Sequence, residues 1–439
     1  MKKQRSREEK GITLVALVVT IIVLIILAGV TLNIVLDNDG IINKAKQAVG
    51  DYENSQREEQ EMLGEIEGYI EYAGKTASIP EGYTKSQITT EDDIAEGLVI
   101  YEIPEGVTVN WTDNEDSNGK NQSTITLPGE TEAKNLQETV NQYVWIPVRD
   151  INDMVMCESN TGDSVCNLVY DEKVDTLTCQ THPDTATDLV GRLYTGSIIE
   201  ENNTIFSSEI DFTQENQIYD ANNGYREPAV ITGNGGGTGT DYDGETNNYH
   251  GLENAEAFLV QLKSDFSEMA TSVAKNGGFY ISRYEVGANG DSRKGQIILT
   301  VASNDNIEEN YLGANMWYGL YHKLRDTSNN KQMIWGCQYE QVIRFIGAEA
   351  QIGHDDRNLT TSRALSGQND LDKMKNIYDL EGNFWEWTLE AYAAGSRVGY
   401  GSSYNSTINN LYYPASNRGN HLGPTVLNYN ISSRSILYL

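Results

Sequence analysis

The sequence predicts an α+β protein in which one long N-terminal helix precedes a loop-rich domain. Three observations lead to this prediction. Residues 11–36 carry no charged side chain and are rich in Ile, Val and Leu. The remainder of the 439-residue chain contains short apolar runs with the spacing of strands or helices. The chain also contains 40 Gly and 26 Tyr, a composition typical of a loop-rich and aromatic-rich domain.

Charge and cysteine content exclude several classes of protein. The chain contains 32 Lys and Arg and 64 Asp and Glu, which gives a formal net charge of −32. Such an acidic chain repels phosphate backbones, so we expect no nucleic-acid partner.

The 4 Cys, at positions 157, 166, 179 and 337, are too few for a disulfide scaffold and lack zinc-site spacing. Three of them fall between Cys157 and Cys179, which predicts at most one local disulfide and one thiol left over.

The apolar run at the N-terminus is long enough to cross a bilayer as a helix, which needs roughly 20 residues. Lys and Arg precede it and Asp37 and Asp39 follow it, so the positive-inside rule leaves a short tail in the cytoplasm and the rest outside. The interpretation is one membrane anchor. A removable secretory signal and a buried core helix are the alternatives.

The start of this run, Lys10-Gly11-Ile12-Thr13-Leu14, resembles the prepilin-type cleavage and methylation motif. The resemblance implies a prepilin peptidase as a partner, which would cut after Gly11 and leave Ile12 as the new N-terminus. Residues 1–11 are then a leader and 12–36 the transmembrane helix. Ala16 departs from the family, which usually has Glu at this place and uses it in fibre assembly; this argues against a major pilin.

Two segments follow the apolar run. Residues 37–75 show helical spacing interrupted by a wholly polar stretch, which predicts a helical stalk. Residues 76–140 carry Gly, Pro, Asp and Thr clusters around short β-like runs such as 98–101. They predict a small β segment or a structured linker.

The C-terminal part has the strongest periodic signals. Residues 143–148 predict a buried strand, and 277–287 alternate like a half-buried strand. Between them, 150–275 has little periodicity apart from an amphipathic helix at 255–274, and we expect a large insertion. Two more amphipathic helices are predicted, one around Met316, Leu320 and Leu324 and one around Tyr339, Ile343 and Ile346.

The Gly382-Asn383-Phe384-Trp385-Glu386-Trp387 element sits among these segments in an order that resembles the formylglycine-generating-enzyme-like family, a variant of the C-type lectin fold. The resemblance covers 141–149 and 276–439. It implies one domain over 141–439, a loop-rich C-type-lectin-type fold with the insertion at 150–275.

The catalytic pattern of that family is missing from the residues. Its oxidase uses two cysteines near the C-terminus, whereas no Cys follows Cys337 here, and the 5 His are widely scattered. We therefore expect no enzyme and no catalytic cofactor. The resemblance implies at most a structural calcium ion at Asn383 and Glu386; the alternative is that both side chains satisfy buried backbone groups.

The last 49 residues, 391–439, differ in composition from everything before them. They contain no Asp, Glu, Lys, Gln, Met or Trp and are rich in Asn, Tyr and Ser. Tyr with small polar residues is the chemistry of recombined binding loops; an ordinary Tyr- and Asn-rich sheet region is the alternative. The residues predicted to contact a ligand are Tyr400, Ser402, Tyr404, Asn405, Ser406, Tyr412, Tyr413, Asn420, His421, Leu422, Val426, Leu427, Asn428, Tyr429 and Asn430.

The genetic code favours diversification of this segment. Randomising the first two bases of AAC or AAT codons never yields Glu, Lys, Gln, Met or Trp, and all are absent here. The segment resembles the C-terminal variable region of the target proteins of diversity-generating retroelements, which commonly use the same fold. The resemblance implies a variable binding region at 395–434, with 414–418 and 434–439 as framework.

Together these features predict a non-catalytic, adhesin-like ligand-recognition protein. Its ligand would be a protein or a glycan on another cell, a host or a phage. We expect it on the extracellular face of a bacterial, Gram-positive-type cell, anchored in the membrane by its N-terminal helix, or associated with pili. The alternatives are a minor type IV pilin-like structural subunit and, less favoured, a formylglycine-generating-type enzyme.

Overall fold

A computed structural model describes the C-terminal part of the chain, within a compact unit of residues 68–439. The described residues are 76–439, with gaps at 118, 158–166, 181–187, 196–210, 216–224, 231–254, 288–289, 297, 299–316, 352–363, 369–371, 393–395, 404–406, 409–410, 413, 421–422 and 425–429.

Strands dominate the described residues. In chain order they are β1 (Tyr83–Lys85), β2 (Val99–Glu102), β3 (Val109–Asn110), β4 (Thr124–Ile125), β5 (Lys134–Asn135), β6 (Gln142–Pro147), β7 (Val155–Cys157), β8 (Leu168–Asp171), β9 (Thr176–Cys179), β10 (Leu189–Gly191), β11 (Tyr194–Thr195), β12 (Asp211–Glu215), β13 (Tyr225–Arg226), β14 (Gly278–Ser282), β15 (Lys331–Met333), β16 (Trp385–Tyr392), β17 (Ser396–Tyr400), β18 (Thr407–Ile408), β19 (Leu411–Tyr412), β20 (Arg418–Asn420), β21 (Ile431–Ser433) and β22 (Ser435–Leu437). The α-helices are α1 (Leu136–Thr139), α2 (Ala255–Asn276), α3 (Trp317–Leu324) and α4 (Gly336–Ile346).

The first large sheet has six strands in the order β1-β2-β6-β14-β22-β15, all antiparallel. Every residue of β6 and β14 is buried, as expected for central strands covered on both faces. Gly278 of β14 lets Trp145 approach, because a Cβ there would lie 2.4 Å from the Ile146 carbonyl oxygen and 2.5 Å from the indole. In the strand order given above, the final strand of the chain, β22, lies between β14 and β15 and is therefore not at an edge of the sheet.

The helices predicted in the C-terminal part are confirmed. Helix α2 presents one apolar stripe to the core, and its five predicted packing residues are all at most 1% exposed: Phe258, Leu262, Phe266, Met269 and Val273. Helices α3 and α4 cover the two other predicted segments. The predicted strands at 143–148 and 277–287 correspond to β6 and β14.

The second large sheet contains β13, β16, β17 and β20 in that order, with β21 parallel to β16. Seven of the eight residues of β16 are buried, including two tryptophans and two glutamates. The turn before it is made by Gly382 (φ 125°) and Asn383 (φ 54°), residue types that tolerate a left-handed backbone.

The α+β prediction with its long membrane or pilin-like helix is wrong for the described residues. They are mostly sheet with four α-helices, and none of these helices is long and apolar enough to cross a bilayer. The prediction relied on the apolar run and the stalk at residues 12–75. These segments, and the cleavage site at Gly11 and Ile12, lie outside the described residues.

The cysteines agree with the predicted single local bridge. Cys179 is disulfide-bonded, whereas Cys157 and Cys337 are free and buried. Cys157 is therefore the thiol left over in the 157–179 stretch.

Candidate functional site

The described part of the predicted binding region contributes β17, β20 and β21 to the second sheet. Its framework segments are buried: Ala415, Ser416 and Asn417 are at most 2% exposed, and so are Arg434 and Ile436. Between them lie stretches outside the described residues, which hold ten of the predicted contact residues: Tyr404, Asn405, Ser406, Tyr413, His421, Leu422, Val426, Leu427, Asn428 and Tyr429. The framework between and after the predicted contact stretches is therefore part of the core.

The structure describes the remaining predicted contact residues to different extents. Tyr412 lies in β19 opposite Thr407, and Asn420 lies in β20 opposite Val398. Asn430 is half-buried, and its carbonyl oxygen accepts a hydrogen bond of 2.9 Å from the Trp385 amide. Asn420 is thus in the second sheet, Tyr412 is in the separate β18-β19 hairpin, and Asn430 directly precedes β21.

Tyr400 and Ser402 correct the prediction, because both are 0% exposed. The ring of Tyr400 stacks on Tyr339 with 4.3 Å between centroids. Its hydroxyl lies 3.4 Å from Glu340 Oε1 and 3.3 Å from Glu390 Oε2. The physical reason is register: Tyr400 pairs with Glu386 of β16 and faces the core. Both residues are framework.

A buried ion cluster lies beneath this tyrosine. Arg418 of β20 lies between two carboxylates, with Nη1 3.1 Å from Glu340 Oε1 and Nη2 paired with Glu390. The same Nη1 donates to the Tyr194 carbonyl at 2.8 Å. Burial raises the pKa of Glu340 well above its ordinary value, and Arg418 opposes this shift. Arg418 therefore ties β20 to α4 and β16.

A further carboxylate, Glu227, caps helix α4. It accepts from the backbone amides of Gly336 at 2.7 Å and Cys337 at 2.6 Å, where the helix dipole favours negative charge. Burial, reinforced by the nearby Glu390, nevertheless raises the pKa of Glu227 to about 7. Gly336 makes room for this packing, since a Cβ there would lie 2.4 Å from Glu390 Oε2.

A second buried ion pair lies under the Gly-Asn turn. Arg434 Nε donates to Glu386 Oε1 at 2.6 Å, and Arg434 Nη2 donates to the Tyr378 carbonyl at 2.5 Å. Asn383 Nδ2 donates to Glu285 Oε2 at 2.8 Å, and Asn383 Oδ1 accepts from the Ala364 amide at 3.0 Å. These contacts link the turn to the central sheet.

A structural calcium ion at Asn383 and Glu386 stays a prediction. Asn383 Oδ1 accepts from a backbone amide and Glu386 Oε1 accepts from Arg434, whereas Glu386 Oε2 has no hydrogen-bond partner among the described residues. In the described part of the chain, no group of three or more His, Cys, Asp or Glu is placed to hold a metal ion. The alternative, that both side chains satisfy buried backbone groups, describes Asn383, which accepts from the Ala364 amide, whereas Glu386 pairs with the Arg434 side chain.

Thiol chemistry at Cys337 is also disfavoured by its surroundings. Burial, together with Glu227, raises the pKa of this thiol well above its ordinary value, so the nucleophilic thiolate is suppressed. His322 is exposed on α3, and the other four histidines lie outside the described residues.

Sequence reasoning considered Glu386 only as a calcium ligand and missed Glu340 and Glu390, the other carboxylates that organise this region. Glu386 and Glu390 lie four positions apart in one strand, and two-residue alternation places them on the same side as Thr388. The signal that could have revealed these carboxylates is the presence of acidic residues on a strand face that packs against the core. Their partners, Arg418 and Arg434, are distant in sequence and show no local pattern.

Comparison with known proteins finds only distant similarity. No protein-family model matches the chain, and no curated protein matches it. Among solved structures, the chain is similar to the Major Tropism Determinant U1 variant, with 17% identity and a TM-score of 0.27 over 37% of this chain and 50% of that one. The chain thus spans about half the length of that protein.

Two other solved structures show similarity of the same order. The Major Tropism Determinant I1 variant has 13% identity and a TM-score of 0.28, covering 84% of this chain and 87% of that one. CarF has 14% identity and a TM-score of 0.20, covering 40% of this chain and 64% of that one.

Proposed function

We propose that this protein is a non-catalytic ligand-recognition protein whose residues 395–434 form a diversified binding region on a C-type-lectin-type scaffold. The observation that carries the proposal is the division within the last 49 residues. Segments 414–418 and 434–438 are buried and held by the Arg418 and Arg434 ion pairs. The Tyr-, Asn- and Ser-rich stretches alternate with them.

This division matches the requirements of a surface that changes in sequence while its fold persists. Binding residues need a support whose own side chains are fixed by packing and hydrogen bonds. Tyr supplies a large contact area at low entropic cost, and Asn and Ser supply adaptable hydrogen bonds. The proposed ligand is a protein or a glycan on another cell, a host or a phage.

Two observations support the non-catalytic role and a site of action outside the cell. The buried, protonated thiol of Cys337 is unsuited to nucleophilic chemistry. The disulfide at Cys179 is typical of oxidising environments, such as the outside of a cell. Protease treatment of intact cells should therefore degrade the protein, and full protection would contradict the proposed location.

DNA sequencing of the locus in several isolates tests the proposal. We expect a nearby template repeat, a reverse transcriptase gene, and substitutions at adenine positions of the template. Because the framework is buried, the substitutions should fall in codons 404–413 and 420–430, and codons 414–418 and 434–438 should stay constant. An invariant segment without a repeat, or substitutions that hit the framework equally, would refute diversified recognition.

A further inference from the structure

A small polar cavity lies beside Arg283, the residue that follows β14. Its volume is about 120 Å³, and five separate parts of the chain line it. The residues that line the cavity include Glu91, Glu115, Gln137, Arg283, Lys373 and Tyr378, all of which have polar side chains. One water needs roughly 10–15 Å³ of such volume, so the cavity has room for about ten water-sized groups, the size of one hexose.

The floor of the cavity is a buried ion pair. Arg283 is 1% exposed, and its Nη1 lies 2.7 Å from Glu91 Oε1. Its Nε donates to the Asn376 carbonyl at 3.1 Å, and Nη1 also donates to Gln142 Oε1 at 3.2 Å. Among the described residues, Nη2 has no hydrogen-bond partner. The floor therefore presents one guanidinium nitrogen, Nη2, as a donor to the cavity.

Gln137 supplies an acceptor near this donor, since Gln137 and Arg283 both contact Glu91 Oε1. Gln137 is 3% exposed, and its Nε2 donates to Glu91 Oε1 at 3.3 Å. Its Oε1 accepts no hydrogen bond from any residue the structure describes. Glu91 itself is fully engaged, since its Oε2 accepts from Ser86 at 2.8 Å and from Tyr101 at 2.7 Å.

The rim adds one charge of each sign. Lys373 and Glu115 are both exposed, and neither side chain forms an ion pair or hydrogen bond with another described residue. The open groups of the cavity are thus two donors, Arg283 Nη2 and the Lys373 ammonium, and two acceptors, Gln137 Oε1 and the Glu115 carboxylate. The two Glu, Arg283 and Lys373 together give a net charge of zero.

This set of groups matches hydroxyls better than charged ligands. A hydroxyl both donates and accepts, so neighbouring hydroxyls on one ring satisfy all four groups. A carboxylate would pair with Arg283 and Lys373 but has nothing to donate to Gln137 and is repelled by Glu115. An ammonium would leave Arg283 without an acceptor. We propose that this cavity binds a neutral polyhydroxylated molecule, a single hexose unit.

Titration of the full-length protein with glucose, galactose and mannose, followed by ligand-observed NMR and calorimetry, tests the proposal. We expect at least one hexose to bind saturably at millimolar concentration, and more tightly than glucuronate or glucosamine. Lys373→Ala and Glu115→Ala should each weaken that binding by about tenfold, the effect of one lost hydrogen bond to a charged group. Lys173→Ala removes an exposed lysine that does not line the cavity and should leave binding unchanged.

Three results would overturn the proposal. No saturable binding of any hexose shows that the cavity holds only water. Tighter binding of glucuronate or glucosamine shows that the ligand is charged. Equal binding by wild type and both rim variants shows that the sugar binds elsewhere. Should a rim variant fail to fold, the comparison of neutral with charged sugars on the wild-type protein still decides the question.

Discussion

Arg418→Met is the substitution that most directly tests how the C-terminal region is supported. Methionine keeps an unbranched apolar stem, although it is shorter than arginine, and removes the cation between Glu340 and Glu390, both 0% exposed. Removing one partner of a buried pair typically costs about 3–5 kcal/mol, because the other charge is left uncompensated. Here two carboxylates lose their cation, so we expect the upper part of this range at pH 7.5.

The loss of stability caused by Arg418→Met should be larger at high pH than at low pH. Burial already raises the pKa of Glu340 and Glu390, and Arg418 counteracts this in the wild type. In the variant the carboxylates take up protons more readily, which removes the uncompensated charge. The loss in the free energy of unfolding should therefore be smaller at pH 5 than at pH 7.5.

Urea unfolding of both proteins at these two pH values, followed by tryptophan fluorescence and circular dichroism, measures the effect. Lys134→Met is a matched control, because its pair with Glu130 is on the surface, where the two side chains are 50% and 34% exposed. Its effect should stay within about 0.5 kcal/mol. A loss below about 1 kcal/mol for Arg418→Met, or an equal loss at both pH values, would refute the reasoning.

Two further predictions concern the wild-type core. The pKa of Glu227 is raised to about 7 from an ordinary 4.5, so its stabilising contribution is complete below pH 4.5 and is lost as pH rises through 7. This single group corresponds to about 3 kcal/mol, and Glu227→Gln should flatten the rise in unfolding free energy measured between pH 8 and pH 5; an unchanged slope would contradict the assignment. Gly278→Ala should lower the free energy of unfolding by about 1–3 kcal/mol, since its Cβ would meet Ile146 and Trp145. A melting temperature equal to that of the wild type would show that the strand can shift to accommodate it.

Several elements were predictable because their signals are local. Helix α2 places Phe258, Leu262, Phe266, Met269 and Val273 at helical spacing, and all five are buried. The continuous apolar run of β6 indicated a central strand, which it is. In each case residues close together in the sequence are buried together, so the element can be predicted without knowing which other element it packs against. The same reasoning failed for the overall class, where the apolar run at the N-terminus outweighed the many short strands that follow.

By itself the sequence determined several elements, among them α2, β6 and β14, the acidic character that disfavours nucleic acid, and the unusual composition of the last 49 residues. Only the tertiary structure decided that Tyr400 and Ser402 are framework, and that Glu340 and Glu390 share Arg418. It also decided that five distant segments line a cavity around Arg283. The physical reason is that periodicity reflects short-range geometry, whereas strand register and buried ion pairs join residues far apart in sequence whose meeting no local pattern records.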